Sequence, residues 1–474
     1  MRRSGSSTEP RGQVLVIVIV AFTAMLGLLA ILFDGANGMV IRREMQDAGD
    51  AGAMAGANVI HVGTPRGCSA AAGGPPRASV AQAARDSLSA NLSWFDASTA
   101  TISCPSGYDN QAVAVELATV APRFFGGIIG GEIGVMTRSA AVNRWVVRNR
   151  YSIVQLDPGN PSWPNGRRGC PSVLLSGGPT VTLQATMQVN SACAAASGGA
   201  LSTNGSGGSL TMSNGSPILL VGGYAAGSMT ISPAPITGAA PIPDPLAGLP
   251  PMITTGMTLR SATKIVLSNE TRVLEAGIYR GGIELRNTSV ALLRPGIYVI
   301  EGGGFDIGSQ ATVLSISSGV TTPNLANWAG DCLLDACGVM IYNTSGATAM
   351  GSITAAAGAT VKLRAYDPDA VTTGGLPDYE NMLIWQDANP VPTSTYAQPV
   401  LQLKGGGSVD IRGTVYAPSA KVEMGGNSGG SGGDVVNLTL QFVSWDLELR
   451  GNSAFTFYFN DNELVRPLDY GLVE

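Results

Sequence analysis

The chain has 474 residues, a formal net charge of −5, 63 glycines, 13% charged residues and 6% aromatic residues. Since this length exceeds what one hydrophobic core usually supports, we expect two or three domains. The small net charge, without a long basic run, excludes nucleic acid as a favoured partner. The many glycines predict a mainly β protein with tight turns.

The first predicted element is a transmembrane helix at residues 14–33, "VLVIVIVAFTAMLGLLAILF", which carry no charge. A helix of this length spans about 30 Å, the thickness of a bilayer core. A cleaved signal peptide is the alternative, although its apolar part is usually only about 7 to 15 residues long. Arginines dominate before the span and acids surround the pair Arg42-Arg43 after it, so the positive-inside rule predicts a cytoplasmic tail at 1–13. We therefore expect a single-pass cell-membrane protein with most of the chain outside.

The helix is predicted to continue outward through "MQDAGDAGAMAGAN", residues 45–58. Gly49, Gly52 and Gly56 each cost about 1 kcal/mol relative to Ala in an exposed helix. That cost is understandable if small residues let another helix approach closely, so the three glycines are candidate helix-packing residues. A plain Ala-rich stalk without a partner is the alternative.

The N-terminal motif has an Arg-Gly before the span, an Asp at its outer end, a basic pair and a Gln-x-Ala-x-Asp-Ala run. These places are filled by Arg11, Gly12, Asp34, Arg42, Arg43, Gln46, Ala48, Asp50 and Ala51. Over residues 11–57 the chain thereby resembles the TadE/TadG-like Flp pilus-assembly proteins. The resemblance implies a helical stalk and a small α+β domain, which we place at 34–148.

Patterns inside this region agree with an α+β domain. An apolar face at intervals of four predicts a helix over 78–95, and alternation predicts strands at 99–104, 111–120 and 132–142. A short helix is expected over 123–131. Pro122, Phe124 and Phe125 match a Pro-x-Phe-Phe turn of the same family, and we interpret the two phenylalanines as core residues.

From about residue 150 short β-rich runs alternate with Gly, Ser and Asn. "GIY" recurs at Gly277-Ile278-Tyr279 and Gly296-Ile297-Tyr298, an offset of nineteen residues. A repeat of roughly 20 residues is typical of one coil of a solenoid. The fold class is therefore predicted as a right-handed parallel β-helix, with first coils at 149–231, a Pro-rich crossover or linker at 232–255, and the main β-helix with a C-terminal cap at 256–474. Residues 405–460, with their Gly-x-Val-Tyr-Ala-Pro-x-Ala turn, also resemble bactofilin-type polymer-forming β-helices.

Six cysteines follow the apolar span, a distribution typical of an oxidising, extracytoplasmic compartment. Pairing of sequence neighbours is the simplest of fifteen connectivities. The candidate disulfide residues are Cys68 with Cys104, Cys170 with Cys193, and Cys332 with Cys337.

The sequence predicts no catalytic residue, cofactor or metal. "GNSGG" at 426–430 is similar to a serine-protease nucleophile segment, but the one histidine, His61, lies beside the membrane helix. Asp306, Asp410 and Asp446 fall in different predicted coils, which favours solvent-facing turn residues over a hydrolase pair. Two glycine-rich runs, 302–308 and 405–413, each resemble one calcium-binding nonapeptide, but such sites need tandem copies.

We therefore expect a non-enzymatic envelope scaffold or adhesin related to Tad/Flp pilus assembly. Its expected partners are the membrane, other pilus-assembly or envelope proteins and a surface polysaccharide. The alternative is a carbohydrate-active β-helix enzyme on the same anchor. Clustered acids in one groove would favour that enzyme, whereas a groove without paired carboxylates would favour the scaffold.

Overall fold

The structure, a computed structural model, divides into two units. Unit 1 comprises Met1–Trp145 and Leu468–Glu474, and unit 2 comprises Val146–Pro467. The described residues are 11–60, 67–71, 73–108, 110–123, 132–145, 151–159, 170–205, 207–320, 337–371, 375–388, 400–404, 409–426, 436–452, 454–460, 464–465 and 468–473.

The N-terminal helix α1 (Arg11–Asn58) is apolar over its first half. Its most apolar window has a mean hydropathy of 3.0 and none of it is buried within the protein. A helix of this length and composition is able to cross a membrane as a single-pass anchor.

The second half of α1 packs into unit 1. Ile41, Met45, Ala48 and Ala53 are buried in a cluster shared with α2 (Ala78–Asn91) and the sheet of this unit. Their spacing of three to five residues keeps them on one side of the helix, which accounts for the small side chains in this stretch. Residues 92–95, predicted to continue α2, lie beyond its end.

Unit 1 has a four-stranded antiparallel sheet in the order β1-β2-β3-β31. Its strands are β1 (Thr101–Ser103), β2 (Ala112–Ala121), β3 (Ile133–Trp145) and β31 (Leu468–Val473). Trp145 at the end of β3 lies opposite Leu468 at the start of β31. Unit 2 is therefore an insertion between two neighbouring strands of unit 1. The helix predicted over 123–131, with Phe124 and Phe125, falls almost wholly outside the described residues.

Unit 2 begins with short strands that pair in parallel with the strand three places later in the chain. Three consecutive strands therefore form one rung of a stack. The first strands are β4 (Tyr151–Gln155), β5 (Val173–Ser176), β6 (Thr180–Leu183), β7 (Thr186–Val189), β8 (Leu201–Asn204), β9 (Ser209–Met212), β10 (Ile218–Leu220), β11 (Tyr224–Ala225), β12 (Thr230–Ser232) and β13 (Ile236–Thr237).

A second series of rungs follows after residue 258, with the same parallel pairing. Its strands are β14 (Leu259–Ser261), β15 (Ile265–Ser268), β16 (Thr271–Leu274), β17 (Gly277–Arg280), β18 (Ile283–Arg286), β19 (Val290–Leu293), β20 (Gly296–Glu301), β21 (Phe305–Ile307), β22 (Thr312–Ser315), β23 (Val339–Thr344), β24 (Ile353–Ala355), β25 (Thr360–Arg364), β26 (Met382–Gln386), β27 (Leu401–Lys404), β28 (Val409–Gly426), β29 (Val436–Gly451) and β30 (Ala454–Tyr458).

The last rung of the second series stacks on the first rung of the first series. β29 pairs in parallel with β4 and β5, and β30 pairs with β6. In space the stack therefore runs from β14 to β30 and continues from β4 to β13, so its two ends lie in the middle of the chain. The unit is β-rich, parallel and solenoid-like, with one continuous apolar core inside the rungs.

Residues 238–258, which we call the strap, connect the two ends of this stack. Ile242, Leu246 and Leu249 of the strap pack on a second apolar cluster outside one sheet of the stack. Asn190 donates a hydrogen bond to the Ile242 carbonyl at 2.7 Å, and Tyr379 donates one to the Pro250 carbonyl at 3.1 Å. The strap thus lies along the stack and buries this sheet on both faces.

Three details differ from the sequence-based expectations. β12 and β13 reach into the predicted Pro-rich linker, because an edge rung tolerates the missing N–H groups of proline. Gly277 pairs with Tyr298 rather than Gly296, because β20 is two residues longer than β17. There is no C-terminal cap on the stack among the described residues, since β30 pairs on both sides and β31 belongs to unit 1.

Candidate binding cleft

A row of polar side chains runs along the outer face of one sheet in unit 2. Inward neighbours such as Ile283 and Leu285 belong to the apolar core, so alternation turns the row outward. Pairwise register connects its members from rung to rung, at the strand spacing of about 4.8 Å. The polar row consists of Glu284, Asp306, Thr354, Gln402, Glu423 and Glu448.

The row enters a cleft of about 450 Å³ where the second series of rungs stacks on the first. The cleft is lined by Pro171, Ser172, Leu174, Val400, Lys421, Glu423, Asp446, Leu447, Glu448 and Arg450. Leu174 continues the row beyond Glu448 in register. Residues far apart in the sequence therefore meet here because β29 pairs with both β28 and β5.

Two cations hold the glutamates of the cleft. The Lys421 ammonium lies 2.8 Å from Glu423 Oε1 and also contacts Glu448. Arg450 donates to Glu448 through Nε and, at 2.9 Å, through Nη2. Its Nη2 also lies 3.5 Å from Glu423 Oε1. The two carboxylates are thus neighbours on successive rungs and are bridged by shared counter-ions.

Both glutamates favour the ionised form. Burial of Glu423 acts to raise its pKa, but hydrogen bonds and the charge of Lys421 outweigh burial, so the pKa is lowered. For Glu448 burial is again the largest single influence, and hydrogen bonds from Arg450 and Lys421 reverse its sign and lower the pKa. The pair therefore consists of two carboxylates at neutral pH, with no proton held for donation.

Two further side chains of the cleft are deeply buried. Asp446 is 3% exposed and lies opposite Lys421 in register. Ser172 is 1% exposed, and its hydroxyl has no hydrogen-bond partner within the described part of the chain. Ser172 follows Cys170, whose disulfide to Cys193 ties this wall of the cleft to the next rung.

The candidate cysteines are placed as follows. Cys68 is bonded to Cys104 in unit 1, and Cys170 is bonded to Cys193 in unit 2. Cys337 is disulfide-bonded, while Cys332, its predicted partner, lies outside the described residues. The bonds lie on the side of α1 that the sequence predicts to be extracytoplasmic.

The three candidate glycines lie inside unit 1. A Cβ atom at Gly52 would lie 3.1 Å from Leu88 Cγ of α2, and one at Gly56 would lie 3.4 Å from Ala84 Cβ of α2. A Cβ atom at Gly49 would lie 2.8 Å from Ser139 Oγ of β3. Two of the glycines therefore face a helix of the same chain, and the third faces a strand.

The other sequence motifs do not converge on the cleft. Asp306 accepts a hydrogen bond from Thr354 at 2.5 Å, and Asp410 pairs with Arg364 at 3.0 Å. His61 and residues 427–430 lie outside the described ranges, as do residues 405–408 of one glycine-rich run. Within the described ranges, no group of three or more His, Cys, Asp or Glu is arranged to hold a metal ion.

Glu423, Glu448, Lys421 and Arg450 are site residues that sequence analysis did not single out, and Asp446 is buried rather than a solvent-facing turn residue. The patterns Lys421-x-Glu423 and Asp446-x-Glu448-x-Arg450 were the available signal, because alternate residues of a strand share a face. What the patterns lacked was the register between the strands.

Comparison with known proteins found no matching family model, no matching curated protein and no matching solved structure. The N-terminal resemblance to TadE/TadG-like proteins therefore rests on its motif.

Proposed function

We propose that the chain is a single-pass, membrane-anchored structural protein of the cell envelope, related to Tad/Flp pilus assembly, whose unit 2 acts outside the cytoplasm as a scaffold or adhesin. The observation that carries this proposal is an exposed apolar helix on a chain whose two units each contain a disulfide. Disulfides persist in oxidising compartments, and the apolar helix supplies the anchor.

The parallel rungs support a right-handed parallel β-helix as the form of the scaffold. Parallel strands joined by crossovers are right-handed in about 98% of cases. Each rung contacts only its neighbours, so a stack of this kind extends a surface in one direction. Such a surface suits the display of a binding site at a distance from a membrane.

A carbohydrate-active enzyme is the second candidate, and the neighbouring Glu423 and Glu448 are the observation in its favour. Glycosidases use two carboxyl groups about 5 to 10 Å apart, one of which must be protonated to act as the general acid. In this cleft both pKa values are lowered by Lys421 and Arg450. We therefore prefer a cleft that binds over a cleft that catalyses.

Membrane fractionation tests the anchor. Deletion of residues 1–33 removes the apolar span but leaves the buried Asp34 and also Asn37, which donates to the Pro122 carbonyl. We expect the full-length chain to stay in carbonate-washed membranes and the deleted chain to become soluble. A matched deletion of residues 1–10 keeps the span and should stay with the membrane.

Orientation is tested on the same membranes by adding protease to intact, right-side-out cells. Cleavage of unit 2 with protection of the N-terminal tail is expected. A full-length chain recovered in the soluble fraction, or a unit 2 that is cut only after cell lysis, would contradict the proposal.

A further inference from the structure

The buried hydroxyl of Ser172 points to a ligand in the cleft. The hydroxyl lines the cleft, is shielded by its surroundings and has no partner within the described part of the chain. Leaving a buried polar group unsatisfied is unfavourable, and most such groups in native proteins have a partner. A ligand in the cleft that offers a donor or acceptor would supply that partner.

The charges of the cleft favour a neutral ligand. Three carboxylic side chains and two cationic side chains line it. Glu423 and Glu448 are already balanced by Lys421 and Arg450, so neither a strong anion nor a strong cation finds an uncompensated charge. A ligand made of hydroxyl groups both donates to carboxylates and accepts from the cations, without disturbing these ion pairs.

The shape of the polar surface favours a polymer. The polar row presents one hydrogen-bonding side chain per rung from Glu284 to Glu448 and ends at the apolar Leu174. Val400 and Leu174 border the cleft with apolar surface. Repeated hydroxyls, with apolar C–H faces between them, are the features of a sugar chain that lies along such a row.

We propose that the cleft and the polar row bind a neutral oligosaccharide that lies parallel to the stacking direction of the rungs. One sugar hydroxyl pairs with Ser172, others donate to Glu423, Glu448 and Gln402, and Leu174 packs against a ring face. The inference rests on the proposed function, since it gives the extracytoplasmic scaffold its ligand class.

Calorimetric titration of the full-length chain in detergent tests the inference. The probes are cellohexaose, chitohexaose and mannohexaose, the corresponding monosaccharides, and hexagalacturonate as an acidic counterpart. We expect at least one neutral hexasaccharide to bind with a Kd below about 1 mM, a weak protein–ligand affinity. It should bind at least about tenfold more tightly than its monosaccharide and than hexagalacturonate.

The decisive variant is Ser172→Ala. Because the hydroxyl has no protein partner, its removal should leave the melting temperature unchanged or raised, while the Kd rises about fivefold or more. Gln402→Ala, in the polar row, should weaken the hexasaccharide more than the monosaccharide. Ser209→Ala, on the strand β9 away from the cleft lining, is the matched control and should change neither quantity.

Failure to bind any neutral hexasaccharide would overturn the inference, as would equal affinity for the monosaccharide or unchanged affinity in Ser172→Ala. Tightest binding of hexagalacturonate would also overturn it, because the cleft would then select an anion. Membrane fractionation of the same preparation separates the two proposals. A membrane-bound chain that binds no sugar contradicts this inference alone, whereas a soluble full-length chain contradicts the proposed function.

Discussion

At the scale of single residues, the strap is fastened by a buried polar contact. Tyr416 Oη donates to Asp244 Oδ2 at 2.6 Å, and the Leu246 amide donates to Asp244 Oδ1 at 2.9 Å. Burial raises the pKa of Asp244, and the two hydrogen bonds only partly oppose it. Burial likewise raises the pKa of the Tyr416 hydroxyl, which stays a donor at neutral pH.

This contact predicts a pH dependence with a definite sign. Because the folded-state pKa of Asp244 is raised, its stabilising contribution is fully present below the ordinary aspartate pKa of about 3.9 and is lost as pH rises through the folded-state pKa. Asp244→Asn cannot ionise, so relative to the wild type its free energy of unfolding should be higher at pH 7 than at pH 3. Urea unfolding at both pH values measures the difference.

Tyr416→Phe serves as the matched control at the same contact. It removes the donor and leaves the carboxylate buried, which should lower the free energy of unfolding by about 1 to 3 kcal/mol at pH 7. If Asp244→Asn lost as much stability at pH 7 as Tyr416→Phe, the charge of Asp244 would be favourable and our interpretation would be wrong.

At the scale of elements, α1 and α2 approach closely because of glycine. At Gly52 a Cβ atom would lie 3.1 Å from Leu88 Cγ and 3.3 Å from the Ala84 carbonyl oxygen. The carbonyl belongs to helix backbone and cannot move away easily. Glycine at this position therefore sets the distance between the two helices, despite its poor helix propensity.

Gly52→Val should separate the helices. We expect a loss of about 1 to 3 kcal/mol from overpacking and faster amide hydrogen exchange in α2, Ala78–Asn91. Gly35→Ala is the control, since a Cβ atom at Gly35 meets nothing within 4 Å. Unchanged exchange in α2 of the Gly52→Val variant would show that the helices do not depend on this contact.

At the scale of the whole molecule, neighbours in the stack are not neighbours in the chain. Phe455 of β30 pairs with Val181 of β6, although more than half of the chain separates them. Phe305 of β21 pairs with Ile283 of β18 and Ile353 of β24. Both phenylalanines are buried in the same continuous core.

Paired truncations test this order. Each Phe→Ala change should cost about 3 to 5 kcal/mol and loosen the adjoining rungs first. Hydrogen exchange should rise in β6 and β9 for Phe455→Ala, and in β18 and β24 for Phe305→Ala. The same pattern of loosening in both variants would mean that unit 2 unfolds as one block and would refute the nearest-neighbour stack.

The sequence by itself determined the local features. An uncharged apolar run is long enough for a membrane helix, alternation marks strands, and prolines keep the strap out of a helix, because these signals depend on residues close together in the chain. The N-terminal helix, the parallel β-rich character and the disulfide chemistry follow from such patterns. The Cys68–Cys104 and Cys170–Cys193 bonds join cysteines that are next to each other in sequence order.

Only the tertiary structure decided which strands meet. Rungs differ in length, so the repeat of Gly-Ile-Tyr did not predict that Gly277 pairs with Tyr298. The cleft requires β28, β29 and the segment at Ser172 to come together, and the strap requires two ends that the chain reaches only after a reversal of order. Register and closure are long-range choices, made by burial of the whole core, and no local pattern encodes them.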